Sequence, residues 1–148
     1  MSKKVLVTGC SGFIGSYIVK YYIDNGYDVY GLDIRISDLN KYADKCKLIQ
    51  CDLQSDDMTK IYSDILPDIF IHCAGNANVG VSVENPKFDY QSNVEILYKT
   101  LSALNNEKIK PKFVFLSSAA VYGSPINLPI DEDYECNPIS PYGLHKRM

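Results

Sequence analysis

The sequence predicts an α/β protein built on one doubly wound parallel sheet, and three features predict it. Short apolar runs alternate along the chain with longer segments of helical periodicity. The runs are apolar through most of their length instead of alternating, as strands buried on both faces of a parallel sheet are. The connections are short enough for right-handed crossovers, and ligands of such sheets bind beyond the carboxyl ends of the strands. With 148 residues, 46% hydrophobic and 22% charged, the chain fits one domain with a real core.

Five runs read as strands: 4–8 (KVLVT), 28–33 (DVYGLD), 47–51 (KLIQC), 69–73 (IFIHC) and 112–117 (KFVFLS). A helix over 13–24 ends before Gly26, which suits a left-handed C-cap. A second, over 56–65, takes Ser55 as its N-cap, with Asp56 and Asp57 favouring its N-terminal dipole. A third, over about 86–106, places Val94, Leu97, Leu101 and Leu104 on one apolar stripe. Residues 123–141 hold four prolines and an acidic cluster, and read as a long irregular loop.

Charge and composition narrow the partners. A net charge of −3 with no basic cluster argues against nucleic acid and anionic membranes. No apolar run approaches the roughly 18 residues of a membrane span. The N-terminal MSKKVLVTG passes from two lysines straight into a strand, so a cytoplasmic protein is expected. The five cysteines lack any C-x-x-C pair, and neither His72 nor His145 stands at ligand spacing to two of them. They read as buried or idle thiols of a reducing compartment, with no metal site expected.

The first strand ends at Thr8, and Gly9, Gly12 and Gly15 then open the first helix. A strand, a tight glycine turn and a helix N-terminus together let a backbone approach a pyrophosphate and offer it free N–H groups. Asp33 closes the second strand, where a carboxylate accepts hydrogen bonds from a ribose diol. That favours NAD over NADP, with Arg35 two residues on as a moderating charge. Asp52, after the third strand, reads either as a contact to the adenine end or as an exposed helix-capping acid. Ser140 and Pro141 form an N-cap and first helical residue. The helix they open puts Tyr142 and Lys146 on one face, and an ammonium beside a phenol favours the phenolate, giving a candidate general base. It has about two turns before Met148, too few to hold without packing.

Together VTGCSGFIGSYIV, Asp33, CDL, HCAGNANVGVSVENP, Asn93, FLSSAAVYGS and SPYGLHK resemble the extended short-chain dehydrogenase/reductases. Within them the likeness is to the NAD-dependent nucleotide-sugar epimerase/dehydratase group, of UDP-glucose 4-epimerase-like character, and it runs from residue 3 to the last residue. It implies a Rossmann-like fold, with Gly9, Ser11, Gly12, Phe13, Ile14, Gly15, Asp33, Asp52, Leu53, Ala74, Gly75, Asn93, Tyr142 and Lys146 on the cofactor NAD. It implies Ser118, Tyr142 and Lys146 as the catalytic set, with Ser118 and Tyr142 also holding the sugar oxygen. Ser118 stands four before Tyr122 in the family pattern, whereas Ser117 does not. Tyr122 itself reads as a substrate contact or a packed aromatic. Asn93 is read as a site residue that bends its helix, or as a polar face residue. Ser82, Val83 and Pro86 follow the family's loop and helix entry.

The resemblance also implies the chemistry: proton removal from a sugar hydroxyl, hydride transfer to NAD, then re-reduction of the keto sugar. Dehydratases of the group follow the catalytic Ser or Thr with acidic residues. Ala119 and Ala120 stand there instead, which favours epimerisation, with dehydration or simple reduction as alternatives. Ala77 departs from those 4-epimerases that carry a lysine at that position. Members of the group run well past the length of this chain, so it is expected to be an N-terminal portion without the C-terminal substrate domain. Weak or no activity is then expected of it alone. The implied partners are a nucleotide-sugar substrate of the UDP type and, in the longer protein, a second copy. A non-catalytic NAD-binding regulatory module is the alternative of another class, and it would not need Ser118, Tyr142 and Lys146.

Overall fold

The computed structural model describes residues 2–36 and 44–148. The chain forms two compact units, one of Met1–Ala74 with Leu97–Leu116, the other of Gly75–Ile96 with Ser117–Met148.

The first unit is a parallel sheet whose strands follow the order β3-β2-β1-β4-β5. They are β1 (Lys4–Thr8), β2 (Asp28–Asp33), β3 (Cys46–Gln50), β4 (Ile69–His72) and β5 (Lys112–Phe115). β1 is central, with Leu6 opposite Tyr30 of β2 and Phe70 of β4. Its Val5, Leu6 and Val7 are fully buried, as a continuous apolar run between two layers must be. Val5 and Val7 pack with Val29, Ile71 and Val19, the last on helix α1 (Phe13–Asp24). α1 ends in a Schellman pair, with Gly26 N–H donating to Ile23 O and Tyr27 N–H to Tyr22 O.

An aromatic column holds Phe70, whose ring meets Tyr62 edge-on at 5.3 Å and stacks on Phe113 at 5.1 Å. Tyr62 belongs to α2 (Thr59–Ile65), and its hydroxyl lies 3.3 Å from Thr100 Oγ1 on α5 (Ile96–Asn106). Burial pushes the Tyr62 phenol well above its usual pKa.

β3 and β4 end one residue earlier than the sequence reading has them, and three larger differences bear on the site. α2 starts at Thr59 with Met58 at its N-cap, not at Ser55. The aspartates before it close turns instead: Gln54 N–H donates to Asp52 Oδ1, Asp52 N–H to Asp56 Oδ2, and Thr59 N–H to Asp57 Oδ1. The bond from Thr59 holds the Asp57 carboxyl below its usual range. β5 ends at Phe115, so Ser117 and Ser118 lie beyond the strand. The helical stripe is also displaced: α5 buries Ile96, Thr100, Ala103 and Leu104, while Leu101 is 44% exposed. A π turn at Gln91–Glu95 also interrupts the expected helix ahead of α5.

The second unit holds α3 (Val79–Glu84), α4 (Pro86–Tyr90), the π turn, a 3₁₀ turn (Ala119–Tyr122) and α6 (Pro141–Arg147). α6 opens as expected, with the Ser140 side chain accepting from Gly143 N–H and Pro141 in the first turn. The residues between Gly123 and Ser140 form neither helix nor strand. Among the described residues no helix is long and apolar enough to cross a membrane.

Removing the Phe70 ring opens a cavity within the aromatic column. Phe70→Ala is expected to lower stability by about 3–5 kcal/mol, and Tyr62→Phe by about 1 kcal/mol through the lost hydroxyl bond, both read from urea unfolding.

Candidate functional site

At the carboxyl end of β1 the backbone does the work. Gly9 has φ +66, and a Cβ there would stand 2.7 Å from Ala74 N; a Cβ on Gly15 would stand 2.1 Å from Gly9 O. Both glycines are therefore demanded by backbone packing. Thr8 holds the other side: its carbonyl accepts from Cys73 N–H and its hydroxyl from Ala74 N–H at 3.4 Å. That hydroxyl also lies 3.0 Å from Nδ1 of the buried His72.

Gly12 is the N-cap of α1, with no side-chain cap and no acidic residue in the first turn. The N–H groups of that turn and the positive end of a 12-residue helix thus meet no acidic side chain of the turn itself, which suits an anion. Phe13 and Ile14 on this turn are exposed. Asp33 is tied to the loop: Oδ2 accepts from Ser11 N–H at 2.9 Å and Oδ1 from Arg35 N–H at 3.2 Å. A carboxylate has about four acceptor positions, so two such bonds leave capacity for a ribose diol. Asp52 is exposed and engaged in its turn, and Leu53 is buried in the core.

The second unit assembles the other sequence-predicted residues. Ser118 is the N-cap of the 3₁₀ turn; its Oγ accepts from Ala120 N–H at 3.2 Å, which leaves the hydroxyl hydrogen available for donation. A Cβ on Gly143 would stand 2.5 Å from Ala120 O, so the glycine after Tyr142 lets α6 pack directly on the turn that Ser118 starts. Tyr142 is 8% exposed, and Lys146 Nζ sits 6.0 Å from the centre of its ring. The Tyr142 N–H donates to Oγ of the fully buried Ser82, whose hydroxyl donates to Val79 O, tying α6 to α3. Ser117 is exposed and bonds the Lys146 carbonyl. Tyr122 meets Tyr134 edge-on at 6.3 Å.

Asn93 lies at the middle of the π turn, its Nδ2 donating to Asp89 O. A side chain that takes the carbonyl four residues back competes with the helical ladder, which accounts for the local widening. Asn93 is 2% exposed, and its Oδ1 has no hydrogen-bond partner among the described residues. A Cβ on Gly75 would stand 2.5 Å from that oxygen. Thr8, Ser82 and Gly143 were not singled out as supports by sequence reasoning; their bonds reach residues 60 or more positions away or depend on one close approach. A glycine directly after the tyrosine was the one available signal.

The thiols take a different part. Burial pushes Cys10 up to about 12, and Cys46 and Cys51 up to about 11. They stay protonated at neutral pH and are poor nucleophiles and ligands. Among the described residues no group of three His, Cys, Asp or Glu side chains is arranged to hold a metal.

A parallel sheet in this order, with a glycine cradle at the end of its central strand and a carboxylate at the end of the next, defines a Rossmann-like dinucleotide-binding protein. The backbone turn that Gly9 and Gly15 permit, the uncapped helix start at Gly12 and the Asp33 acceptors fit NAD. The chain belongs to the NAD dependent epimerase/dehydratase family, whose model matches residues 5–148. It is 41% identical over 147 residues to the UDP-glucose 4-epimerase of Lactobacillus helveticus, covering 98% of this chain and 44% of that protein.

Among solved structures it resembles the UDP-glucose 4-epimerase of Brucella ovis in complex with NAD, at 32% identity and a TM-score of 0.90, covering 99% of this chain and 45% of that one. The UDP-N-acetylglucosamine 4-epimerase of Methanobrevibacter ruminantium, in complex with UDP-N-acetylmuramic acid, matches at 36% identity and a TM-score of 0.87, over 99% of this chain and 47% of that one. The chain spans about half the length of the relatives it matches.

Two outcomes test the site. Gly15→Ala is expected to abolish measurable NAD binding in calorimetry, because the methyl cannot fit beside Gly9 O. In thiol titration at neutral pH, Cys73 and Cys136 are expected to react before the buried Cys10, Cys46 and Cys51, as followed by mass spectrometry.

Proposed function

We propose that these residues serve a nucleotide-sugar epimerase that uses NAD and acts on a UDP-sugar. The single observation that carries the reading is the arrangement around α6. A tyrosine with a lysine over its ring sits on a helix packed by Gly143 against the turn that a hydroxyl-donating Ser118 opens. A purely regulatory NAD-binding module would need the cradle but not this set.

NAD, when bound, supplies a hydride acceptor that later returns the hydride. The first-turn amides of α1 hold its pyrophosphate, and Asp33 accepts from the adenosine ribose while anchoring Ser11. Tyr142 Oη takes the proton of the sugar hydroxyl, and Lys146 favours the phenolate that does so. Ser118 donates its hydroxyl hydrogen to the same sugar oxygen, where negative charge builds as the proton leaves. On re-reduction Tyr142 gives the proton back. Asn93 acts on the fold of the site, its Nδ2 widening the π turn while its Oδ1 is enclosed against Gly75. Ala119 and Ala120 offer no acid to expel a further hydroxyl, which favours epimerisation over dehydration.

The test follows a nucleotide-hexose labelled with deuterium at the carbon whose configuration changes. Retention of the label in the epimer is the expected result. Exchange of the label into solvent, or a 4-keto-6-deoxy product, would contradict the reading. Tyr142→Phe is expected to lower turnover by about 10²–10⁴-fold. Asp33→Ala is expected to weaken NAD in calorimetry by about 10- to 100-fold, as loss of charge-assisted hydrogen bonds does.

A further inference from the structure

Asp89, on α4, is fully buried. Its Oδ1 accepts from Asn76 Nδ2 at 2.8 Å and from Asn93 Nδ2 at 3.0 Å, and its Oδ2 lies 2.6 Å from His145 Nδ1. One carboxylate thus gathers donors from the loop after β4, from the π turn and from α6. A buried carboxylate is tolerated only when its lone pairs are met this fully, so the three segments are fixed by one charge.

Two consequences follow. Asn93 Nδ2 is committed to Asp89 through both the side chain and the Asp89 carbonyl. Turning the amide over would set Asn93 Oδ1 against carboxylate oxygens, so Asp89 decides that Asn93 shows an acceptor on its Gly75 side. His145 follows Tyr142 by three residues and precedes Lys146 directly, so its bond to Asp89 holds α6 at the level of that pair. The His145 ring also stands edge-on to Tyr90 at 5.6 Å, which limits its rotation.

We propose that Asp89 is a positioning residue that fixes the Asn93 amide within the π turn and, through His145, fixes the helix whose Tyr142 and Lys146 would meet the sugar and NAD. The role toward NAD rests on the function proposed above; the His145 tautomer, which its bond to Asp89 sets, does not.

The experiment uses the 148-residue chain, whose two histidines make ring-nitrogen NMR simple to assign. In the parent chain His145 Nδ1 carries a hydrogen and donates to Asp89. In Asp89→Asn the new amide keeps its oxygen toward Asn76 and Asn93 and turns its NH₂ to His145, so Nδ1 gives up its hydrogen and Nε2 carries it. Asp89→Leu removes both ties, and the Kd for NAD is expected to rise about ten-fold or more, as loss of a charged hydrogen-bond partner does. Where an Asp89 variant fails to fold, His145→Gln retains a donor and keeps the Kd within about two-fold, whereas His145→Leu raises it about ten-fold. An Nδ1 hydrogen that persists in Asp89→Asn overturns the proposal, as does a folded leucine variant that binds NAD like the parent. A parent chain that binds no NAD counts against the cofactor reading instead, and the tautomer measurement then decides the role of Asp89.

Discussion

Backbone meeting backbone without side chains between is the constraint on which the rest depends. The Gly15 Cα lies where any Cβ would strike the Gly9 carbonyl, and Gly9 lies where any Cβ would strike the Ala74 amide. The start of α1 is therefore pressed against the end of β1, and the end of β1 against the end of β4. Helix dipole, free amides and the Asp33 carboxylate converge because that packing leaves the chain no other path. The same device recurs at Gly143, whose bare Cα lets α6 settle on the Ala120 carbonyl. In both places a glycine trades conformational entropy for proximity, and proximity is what a phosphate seat or an acid-base pair requires.

The two units are stabilised by different physics. The sheet unit is an apolar layer structure: β1 is buried on both faces, and the Phe70 column fills the space under α2 and α5. The unit that carries Ser118 and Tyr142 is made of short helices whose placement rests on buried polar groups, with Ser82, Asp89 and Asn93 all within 2% of full burial. Short helices have too few turns to stand alone, so directional hydrogen bonds supply the register that apolar packing would leave loose. Such a unit is precise when every bond is made and sensitive when one is lost.

Much of this was legible in the sequence, for reasons that particular residues illustrate. The five strands are legible because parallel strands are apolar throughout, and the turn of Gly9, Gly12 and Gly15 with Asp33 at the next strand end is legible because it depends on local spacing. Ser140 and Pro141 gave the start of α6 to the residue. What escaped was non-local or a matter of competition. The acidic residues at 52–57 signal a helix start, yet turn bonds to neighbouring amides claimed them first. The interruption of the helix expected over 86–106 escaped because a single π turn, held by Asn93, is invisible to a count that assumes 3.6 residues per turn. The hub at Asp89 joins residues 76, 93 and 145, and no periodicity relates them.

The function of this chain turns on whether the glycine cradle is the seat of the pyrophosphate. Amide NMR of the chain during titration with NAD tests this most directly. The largest shifts are predicted at Phe13, Ile14 and Gly15, in the first turn of α1, with Ser11 moving as Asp33 takes up the ribose. Saturable shifts centred elsewhere, with these amides unmoved, would contradict it.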